Sequence, residues 1–387
     1  METIEVSSLC EVVNDLNKRG IKGEAQIRAV NEYLNLKARQ KAVPAAGMFE
    51  LTPLCNLDCK MCYVHLSPVQ MGPGNQLLTT DEWKHIISQA VDAGMIYAVL
   101  TGGECLTYPG FKEVYLHLFS LGVKPTIMTN GVLLTQDMIA FLVKYPPDMI
   151  QITLYGSNED AYECVTGYRA YAQVISGIQR AREAGLDVRL SMTPSRYMQE
   201  DALMLLERLH ELDLPYVIGD ATIPARNETQ RDMEEYAVEL DAYMQIKHAE
   251  RVYEMSGKQR RYVSIPRYLP RDIKKQPGLP CGGANSSFHV NWKGELCPCV
   301  AFSHSVKCSV LDHGFESAWK NIRQTMVQYR PPEECAACVR KDTCFACPGE
   351  VSGCEITGKL NKAVCRRLER LEAERFGISK ETDNQFI

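Results

Sequence analysis

Short apolar runs alternate with amphipathic stretches from about residue 46 to about residue 220. The runs have the length and the β-branched and aromatic content of strands, and the stretches between them have the three-to-four spacing of helices. Repeated strand–helix units predict a parallel sheet, either an open partial barrel or a doubly wound sheet. The predicted strands lie at 48–52, 97–101, 124–129, 149–155, 188–193 and 216–219.

Local signals predict where individual helices begin and end. Thr79 is followed three residues later by Glu82, the spacing of a capping box, so a helix is expected to begin there. The segments FKEVYLHLFSLG and VISGIQRAREAG each end in glycine, which is common just after a helix.

The parts of the chain on either side of this pattern differ from it. Residues 1–45 predict a short helical lead-in, and residues 231–255 predict a charged bridging helix. From residue 277 onward the chain is irregular and rich in Cys, Pro and Gly, with SFHVNWKGELCPC predicting a hairpin that turns at Lys293 and Gly294. Such a segment is expected to need metal in order to fold. The predicted domains are therefore 1–45, 46–230, 231–274 and 275–387.

Composition excludes several classes of protein. The chain has 387 residues, 45% hydrophobic and 24% charged, with a net charge of -5, which gives no reason to expect nucleic acid as a partner. The first twenty residues carry charges where a secretory signal needs an apolar core, and no stretch is long and apolar enough to span a bilayer. A cytoplasmic protein without a membrane partner is expected.

Cysteine is unusually frequent, with 16 residues in a chain without an export signal. Metal ligation therefore explains the cysteines better than a disulfide framework does. Three lie in CNLDCKMCY (residues 55–63) and ten lie between Cys281 and Cys365, which predicts two metal-binding regions. The other three, Cys10, Cys105 and Cys164, are interpreted as small core residues.

Cys55, Cys59 and Cys62 could hold three irons of a four-iron cluster and leave the fourth iron open for chemistry. A zinc site completed by His65 is the alternative. The loop resembles the Cys-x3-Cys-x2-Cys motif that follows the first barrel strand of the radical S-adenosylmethionine superfamily. This resemblance implies an α/β fold with a partial (β/α)6 TIM-type barrel.

The same resemblance implies that S-adenosylmethionine binds the open iron and is cleaved to a 5'-deoxyadenosyl radical. The segment TGGE (Thr101 to Glu104) is similar to the family segment that contacts the methionine amino group. Polar residues at later strand ends would face the catalytic mouth. The implied cofactor-binding residues are Gly102, Gly103, Glu104, Asn130, Thr153, Tyr155 and Ser191.

The second cysteine region resembles the SPASM extension of peptide-modifying members of the superfamily. Two residues separate Cys344 from Cys347 where the family pattern has three. By position, the resemblance assigns Cys281, Cys299 and Cys347 to one auxiliary four-iron cluster, with Cys297, Cys308 and Cys354 as candidates for its remaining ligand. It assigns Cys335, Cys338, Cys344 and Cys365 to the other, giving three [4Fe-4S] clusters in all. Two structural zinc sites are the alternative.

The implied activity is hydrogen abstraction from a peptide or protein, followed by formation of a thioether or carbon–carbon cross-link. The implied partners are that substrate, an electron donor such as a flavodoxin or ferredoxin, and a separate leader-peptide-binding protein. Asp220 is a candidate acid or base. Two alternatives are a sulfatase-maturating formylglycine-forming enzyme and a non-catalytic zinc- or cluster-binding adaptor.

Overall fold

The computed structural model describes residues 3–72, 76–219, 236–255, 266–271, 278–341, 344 and 346–376. They form a mixed α/β fold in two compact units, each assembled from three segments of the chain. The first unit is Met1–Thr52, Gly74–Ile127 and Arg260–Tyr329; the second is Pro53–Pro73, Met128–Gln259 and Arg330–Ile387. The four-part division expected from the sequence stays a prediction.

Strands and helices are numbered in chain order. The strands are β1 (Thr3–Val6), β2 (Ala46–Glu50), β3 (Tyr97–Thr101), β4 (Thr126–Thr129), β5 (Met149–Thr153), β6 (Val188–Met192), β7 (Tyr216–Ile218), β8 (Arg267–Pro270), β9 (Ser287–Val290), β10 (Glu295–Cys297) and β11 (Cys308–Ser309). The helices are α1 (Leu9–Lys18), α2 (Glu24–Lys41), α3 (Pro68–Met71), α4 (Thr80–Asp92), α5 (Phe111–Ser120), α6 (Gln136–Lys144), α7 (Glu159–Thr166), α8 (Tyr171–Glu183), α9 (Ala202–Glu211), α10 (Leu240–Met255), α11 (Val310–His313), α12 (Phe315–Met326), α13 (Glu333–Ala337), α14 (Pro348–Val351) and α15 (Lys362–Phe376).

In the first unit, parallel strands lie in the order β9, β2, β3 and the start of β4. The hairpin strand β10 pairs antiparallel with β9, and β11 pairs antiparallel with β10. A separate parallel pair, β1 with β8, packs with α1 and α2 around a small core that includes Leu16, Tyr33 and Tyr268.

The aromatic core of the first unit lies on one face of β2 and β9. Phe49 meets Trp83 of α4 and Phe288 of β9 edge to face, with ring centroids 6.2 and 5.9 Å apart. Phe288 in turn packs against Phe315 of α12 at 4.9 Å. Because side chains alternate along a strand, Glu50 and the residues that share its side lie on the face opposite these helices.

In the second unit, β5, β6 and β7 are parallel, with Thr153 of β5 opposite Ser191 of β6. Near the end of the chain, α15 packs against α14 around Val351, Val364 and Leu368. The predicted bridging helix corresponds to α10; residues 231–235 of that prediction lie outside the described residues.

Each predicted strand of the repeating region corresponds to one of β2–β7, and the α/β fold with parallel strands is confirmed. The capping box is present, since the Thr79 N–H donates to Glu82 Oε2 at 2.7 Å and the Glu82 N–H donates to Thr79 Oγ1 at 3.2 Å. The predicted hairpin is β9–β10, with Gly294 at a φ of 76°. The sequence did not predict β1, nor the parallel pairing of β9 with β2, because both depend on partners far away in the chain.

No helix among the described residues has both the length and the apolar composition needed to cross a bilayer.

Candidate functional site

The loop that carries Cys55, Cys59 and Cys62 leaves the end of β2 and belongs to the second unit. It is attached to the end of α7 by two backbone hydrogen bonds. The Asp58 N–H donates to the Thr166 carbonyl and the Lys60 N–H donates to the Val165 carbonyl, each at 3.0 Å. The loop therefore has a fixed backbone rather than depending only on a bound group for its shape.

Two sulfur atoms of this loop, those of Cys55 and Cys62, accept hydrogen bonds from donors within the second unit. The Leu57 N–H donates to Cys55 Sγ at 3.4 Å, and the His65 N–H donates to Cys62 Sγ at 3.2 Å. Asn130 Nδ2 lies 3.6 Å from Cys55 Sγ and donates to Asn56 Oδ1 at 2.8 Å. Hydrogen bonds to thiolate sulfur stabilise its negative charge, which is what a cluster ligand requires.

Tyr155, which follows β5, lies near the same sulfur atoms. Burial raises the pKa of its phenol well above the usual value, and negative charge at Cys59, Cys62 and Cys55 raises it further. The phenol is therefore protonated at neutral pH and can serve as a hydrogen-bond donor beside the cysteine loop.

Two further predicted residues contact each other directly. Thr153 Oγ1 and Ser191 Oγ are 2.8 Å apart at the carboxyl ends of β5 and β6. Ser191 is buried, while Thr153 is partly exposed. In the second unit the structure thus places Asn130, Tyr155, Thr153 and Ser191 at the carboxyl ends of, or directly after, parallel strands, where barrel enzymes carry their active sites.

The predicted glycine segment lies in the first unit, at the end of β3. The Gly103 N–H donates to the Thr52 carbonyl at 2.7 Å, and a Cβ at Gly102 would lie only 2.5 Å from that same oxygen. Glycine is therefore required at residue 102. The buried Glu104 carboxylate accepts from the Leu106 N–H at 3.1 Å and so also caps a short 3-10 turn.

Four cysteines of the C-terminal region are close enough to influence one another. Burial raises the pKa of Cys335, and negative charge at Cys365, Cys344 and Cys338 raises it further. Burial likewise raises the pKa of Cys365 on α15, followed by charge at Glu369, Cys344 and Cys338. These four are the residues that the resemblance assigned to one auxiliary cluster.

An arginine ties the loop between these cysteines to α15. Arg340, between Cys338 and Cys344, forms ion pairs with Glu369 and, at 3.2 Å, with Glu372. A cation beside the cysteines also favours thiolate charge at Cys365, where Arg340 lowers the pKa in part.

The residues predicted for the remaining cluster fall in both units and are described separately. Cys281 and Cys299 are partly exposed residues of the first unit, and Cys347 precedes α14 in the second. In the first unit, Cys297 is opposite His289 in the register, whereas Cys308 is opposite Leu296, the neighbour of Cys297. Because neighbouring strand residues point to opposite faces, Cys297 and Cys308 lie on different faces of the sheet.

Asp220, the predicted acid or base, lies outside the described residues. Among those described, no three His, Cys, Asp or Glu side chains are arranged to hold one metal ion. The donor set around Cys55, Cys59 and Cys62 fits a four-iron cluster with one open iron, since it offers three sulfurs on a fixed loop with backbone and amide donors.

Sequence analysis missed a buried polar pair in the first unit. Glu50 Oε2 and His289 Nε2 are 3.3 Å apart, on the last residue of β2 and on β9. A charged residue ending an apolar strand was a signal for Glu50, but nothing local connects it with His289.

Residues 49–198 match the family described as the Radical SAM superfamily. The matched segment begins in β2 and contains the cysteine loop and the glycine segment described above.

Three curated relatives extend the similarity beyond that domain. An "AdoMet-dependent heme synthase" of Methanosarcina barkeri is 26% identical over 79% of this chain and 91% of its own length. A "PqqA peptide cyclase" of Rhizobium meliloti is 25% identical over 78% of this chain and 81% of its own. The subtilosin biosynthesis protein AlbA of Bacillus subtilis is 22% identical over 82% of this chain and 68% of its own.

Solved structures share the fold. Streptococcus suis SuiB bound to S-adenosylmethionine has a TM-score of 0.64 and 15% identity, covering 91% of this chain and 86% of its own. SuiB bound to its precursor peptide SuiA has a TM-score of 0.63 and 15% identity, covering 88% of this chain and 80% of its own. Native anSMEcpe with bound AdoMet has a TM-score of 0.64 and 13% identity, covering 86% and 97%. Residues 49–198 of this chain therefore match the Radical SAM superfamily, and over most of its length the chain is similar to the enzymes named above.

Proposed function

We propose that this enzyme uses S-adenosylmethionine and iron–sulfur clusters to install a cross-link, a thioether or carbon–carbon bond, in a ribosomally made peptide. The observation that carries the proposal is a second group of cysteines, Cys335, Cys338, Cys344 and Cys365, gathered apart in sequence from the Cys55 loop. Forming a cross-link removes two hydrogen atoms, so after the first hydrogen atom is abstracted one electron and one proton must also leave the substrate. An auxiliary cluster is a suitable acceptor for that electron.

The relatives support a peptide as the substrate class. A PqqA peptide cyclase, a subtilosin biosynthesis protein and a structure bound to a precursor peptide are among the similar proteins. The peptide reaction is therefore the one that several independent comparisons have in common.

The residues of this chain would divide the work as follows. Cys55, Cys59 and Cys62 would hold a four-iron cluster, which with S-adenosylmethionine would supply a 5'-deoxyadenosyl radical. Asn130 would stabilise charge on Cys55 Sγ, and the glycine segment would let the methionine amino group approach the backbone. The enzyme would act in the cytoplasm. A flavodoxin or ferredoxin would supply the electron, and a separate protein would bind the leader peptide.

The direct test is cleavage of S-adenosylmethionine by anaerobically reconstituted protein with dithionite. We expect 5'-deoxyadenosine from the wild type and none from the variant in which Cys55, Cys59 and Cys62 are all alanine. Cys164→Ala is the matched control, because this cysteine of α7 belongs to neither group and is exposed, so its interpretation as a core residue was wrong. Persistent 5'-deoxyadenosine in the triple variant would refute the assignment.

The peptide class is tested with precursor peptides encoded beside the gene. A modified peptide should lose two hydrogen atoms and should resist fragmentation between the bridged residues in tandem mass spectrometry. A peptide or sulfatase in which one cysteine or serine becomes formylglycine would instead support the maturation of a sulfatase.

A second candidate is a reaction on a haem precursor, favoured by the 26% identity to a heme synthase over 91% of that relative. Incubating the same reconstituted protein with a porphyrin precursor separates the two. A porphyrin product without any peptide product would favour this second function.

A further inference from the structure

The first unit holds an acid–imidazole pair that the cofactor assignments do not use. Glu50 and His289 are 1% and 2% exposed, and Glu50 Oε2 lies 3.3 Å from His289 Nε2. Neither ring nitrogen of His289 makes a hydrogen bond of good geometry with any described residue, so the two side chains are in close polar contact without a well-formed hydrogen bond between them.

Holding the two strands together does not require this pair. The opposite face of β2 and β9 is already packed through Phe49 and Phe288. Two buried ionisable groups lose their hydration, and apolar residues of similar size often stabilise such a position equally well or better. The pair therefore adds little to the overall stability of the β2–β9 pairing, and its effect is to be sought locally, at the end of β2 where Glu50 lies.

The position of the pair suggests one. Glu50 is the last residue of β2 and lies opposite Thr101 of β3, which directly precedes Gly102. Two residues after Glu50, the Thr52 carbonyl accepts from the Gly103 N–H at 2.7 Å and touches Gly102. The backbone at the end of β2 thus determines where the glycine segment lies.

We propose that Glu50 and His289 are positioning residues: by tying the end of β2 to β9, they fix Thr52 and, through it, the Gly102–Gly103 segment in the place that binds S-adenosylmethionine. This inference rests on the proposed role of the glycine segment. Since both side chains are buried, they act through the backbone and not by touching the substrate.

The double variant Glu50→Leu/His289→Leu separates positioning from stability. Each single leucine variant removes one member of the pair and keeps the other buried polar group, so its melting temperature should fall, whereas the double variant should recover most of that loss. We nevertheless expect the double variant to exchange the Gly103 amide faster in cluster-free protein. Its Kd for S-adenosylmethionine after reconstitution should rise about ten-fold.

Two further variants make the comparison specific. Glu50→Gln keeps the shape and an acceptor oxygen, so its Kd should rise less than that of the double variant. Phe288→Leu, beside His289 but on the opposite face, should lower the melting temperature and leave the Kd unchanged.

The inference would be overturned if the double variant had the same Kd for S-adenosylmethionine and the same Gly103 amide exchange rate as the wild type. If the double variant does not fold, the same two results in Glu50→Gln would overturn it. Failure of the proposed function looks different. Wild-type protein that does not bind S-adenosylmethionine, or Gly102→Ala protein that binds it normally, would refute the role of the glycine segment and this inference with it.

Discussion

Asn130 shows how a single side chain can tune the chemistry of the cysteine loop. Its Nδ2 group is shared between Cys55 Sγ at 3.6 Å and Asn56 Oδ1 at 2.8 Å, while its Oδ1 accepts from the Val132 N–H at 3.0 Å. The side chain is thus held in one orientation by its neighbours. Hydrogen bonds to ligand sulfur raise the reduction potential of an iron–sulfur cluster.

Asn130→Ala should therefore give a cluster with a lower reduction potential and roughly ten-fold slower cleavage of S-adenosylmethionine. An anaerobic redox titration followed by electron paramagnetic resonance measures the potential. Asn158→Ala is the control, since it removes the N-cap of α7 at a cost of about 1 kcal/mol and touches no sulfur. Equal potentials in Asn130→Ala and the wild type would contradict the role given to this amide.

A second residue-scale prediction concerns His210 in α9, whose ring stacks on Tyr253 and lies 3.0 Å from the Tyr216 hydroxyl. Burial lowers the pKa of His210 from 6.5 to about 4. Between these two values the unfolded chain takes up a proton that the folded chain does not, so the free energy of unfolding falls as pH drops from about 6.5 to about 4.

His210→Gln should reduce that pH dependence, because glutamine does not titrate. Urea midpoints measured at about pH 7.5 and about pH 5 should differ less in this variant than in the wild type. His313→Gln, in an exposed histidine of α11, is the matched control. If His210→Gln and the wild type lose the same stability over this range, His210 is not the cause.

At the scale of elements, α15 brings Cys365 to a group of cysteines that lies 21 or more positions earlier in the chain. Arg340, which follows Cys335 and Cys338, forms ion pairs with Glu369 and Glu372 of this helix. Cys354 differs: it is buried, it has a φ of 66°, and its N–H donates to the Gly349 carbonyl at 2.6 Å, so it is part of the turn after α14.

Cys365→Ala should therefore lose iron and melting temperature in part, because it removes a proposed cluster ligand from a region that is expected to need metal in order to fold. Cys354→Ala should keep near-full iron content, since alanine retains the Cβ and the same backbone. Product formation should fail in Cys365→Ala even where slow cleavage of S-adenosylmethionine continues. Equal losses in the two variants, or the reverse order, would show that the ligands are assigned wrongly.

The sequence predicts where helices begin better than it predicts which strands pair. Thr79 and Glu82 predict the start of α4, because a capping box is a contact between residues three positions apart in the chain. No such local rule predicts that β9 pairs with β2, about 240 residues earlier in the chain. A hairpin strand such as β9 has the same alternation of apolar and polar residues whichever strand it pairs with. Its partner is therefore decided by tertiary packing, here that of Phe288 against Phe49.

At the scale of the whole molecule, the number of cysteines limits how many iron–sulfur clusters the chain can hold. Thirteen of the 16 cysteines lie in the two predicted metal-binding regions, enough for three clusters of four irons with one iron open. We expect about twelve irons per chain after reconstitution and about eight in the triple variant of Cys55, Cys59 and Cys62. Iron near four with stoichiometric zinc, measured by elemental analysis, would mean that the C-terminal region is a structural zinc domain.

The sequence by itself determined the alternation of strands and helices, the cysteine loop after β2 and the glycine segment after β3, because each is written in residues close together in the chain. Only the tertiary structure decided that Glu50 meets His289, that Cys297 and Cys308 lie on different faces, and that β1 pairs with β8. These features depend on register between distant strands, where a shift of one residue reverses every side chain. Register is set by the packing of the whole core, and no short stretch of sequence contains it.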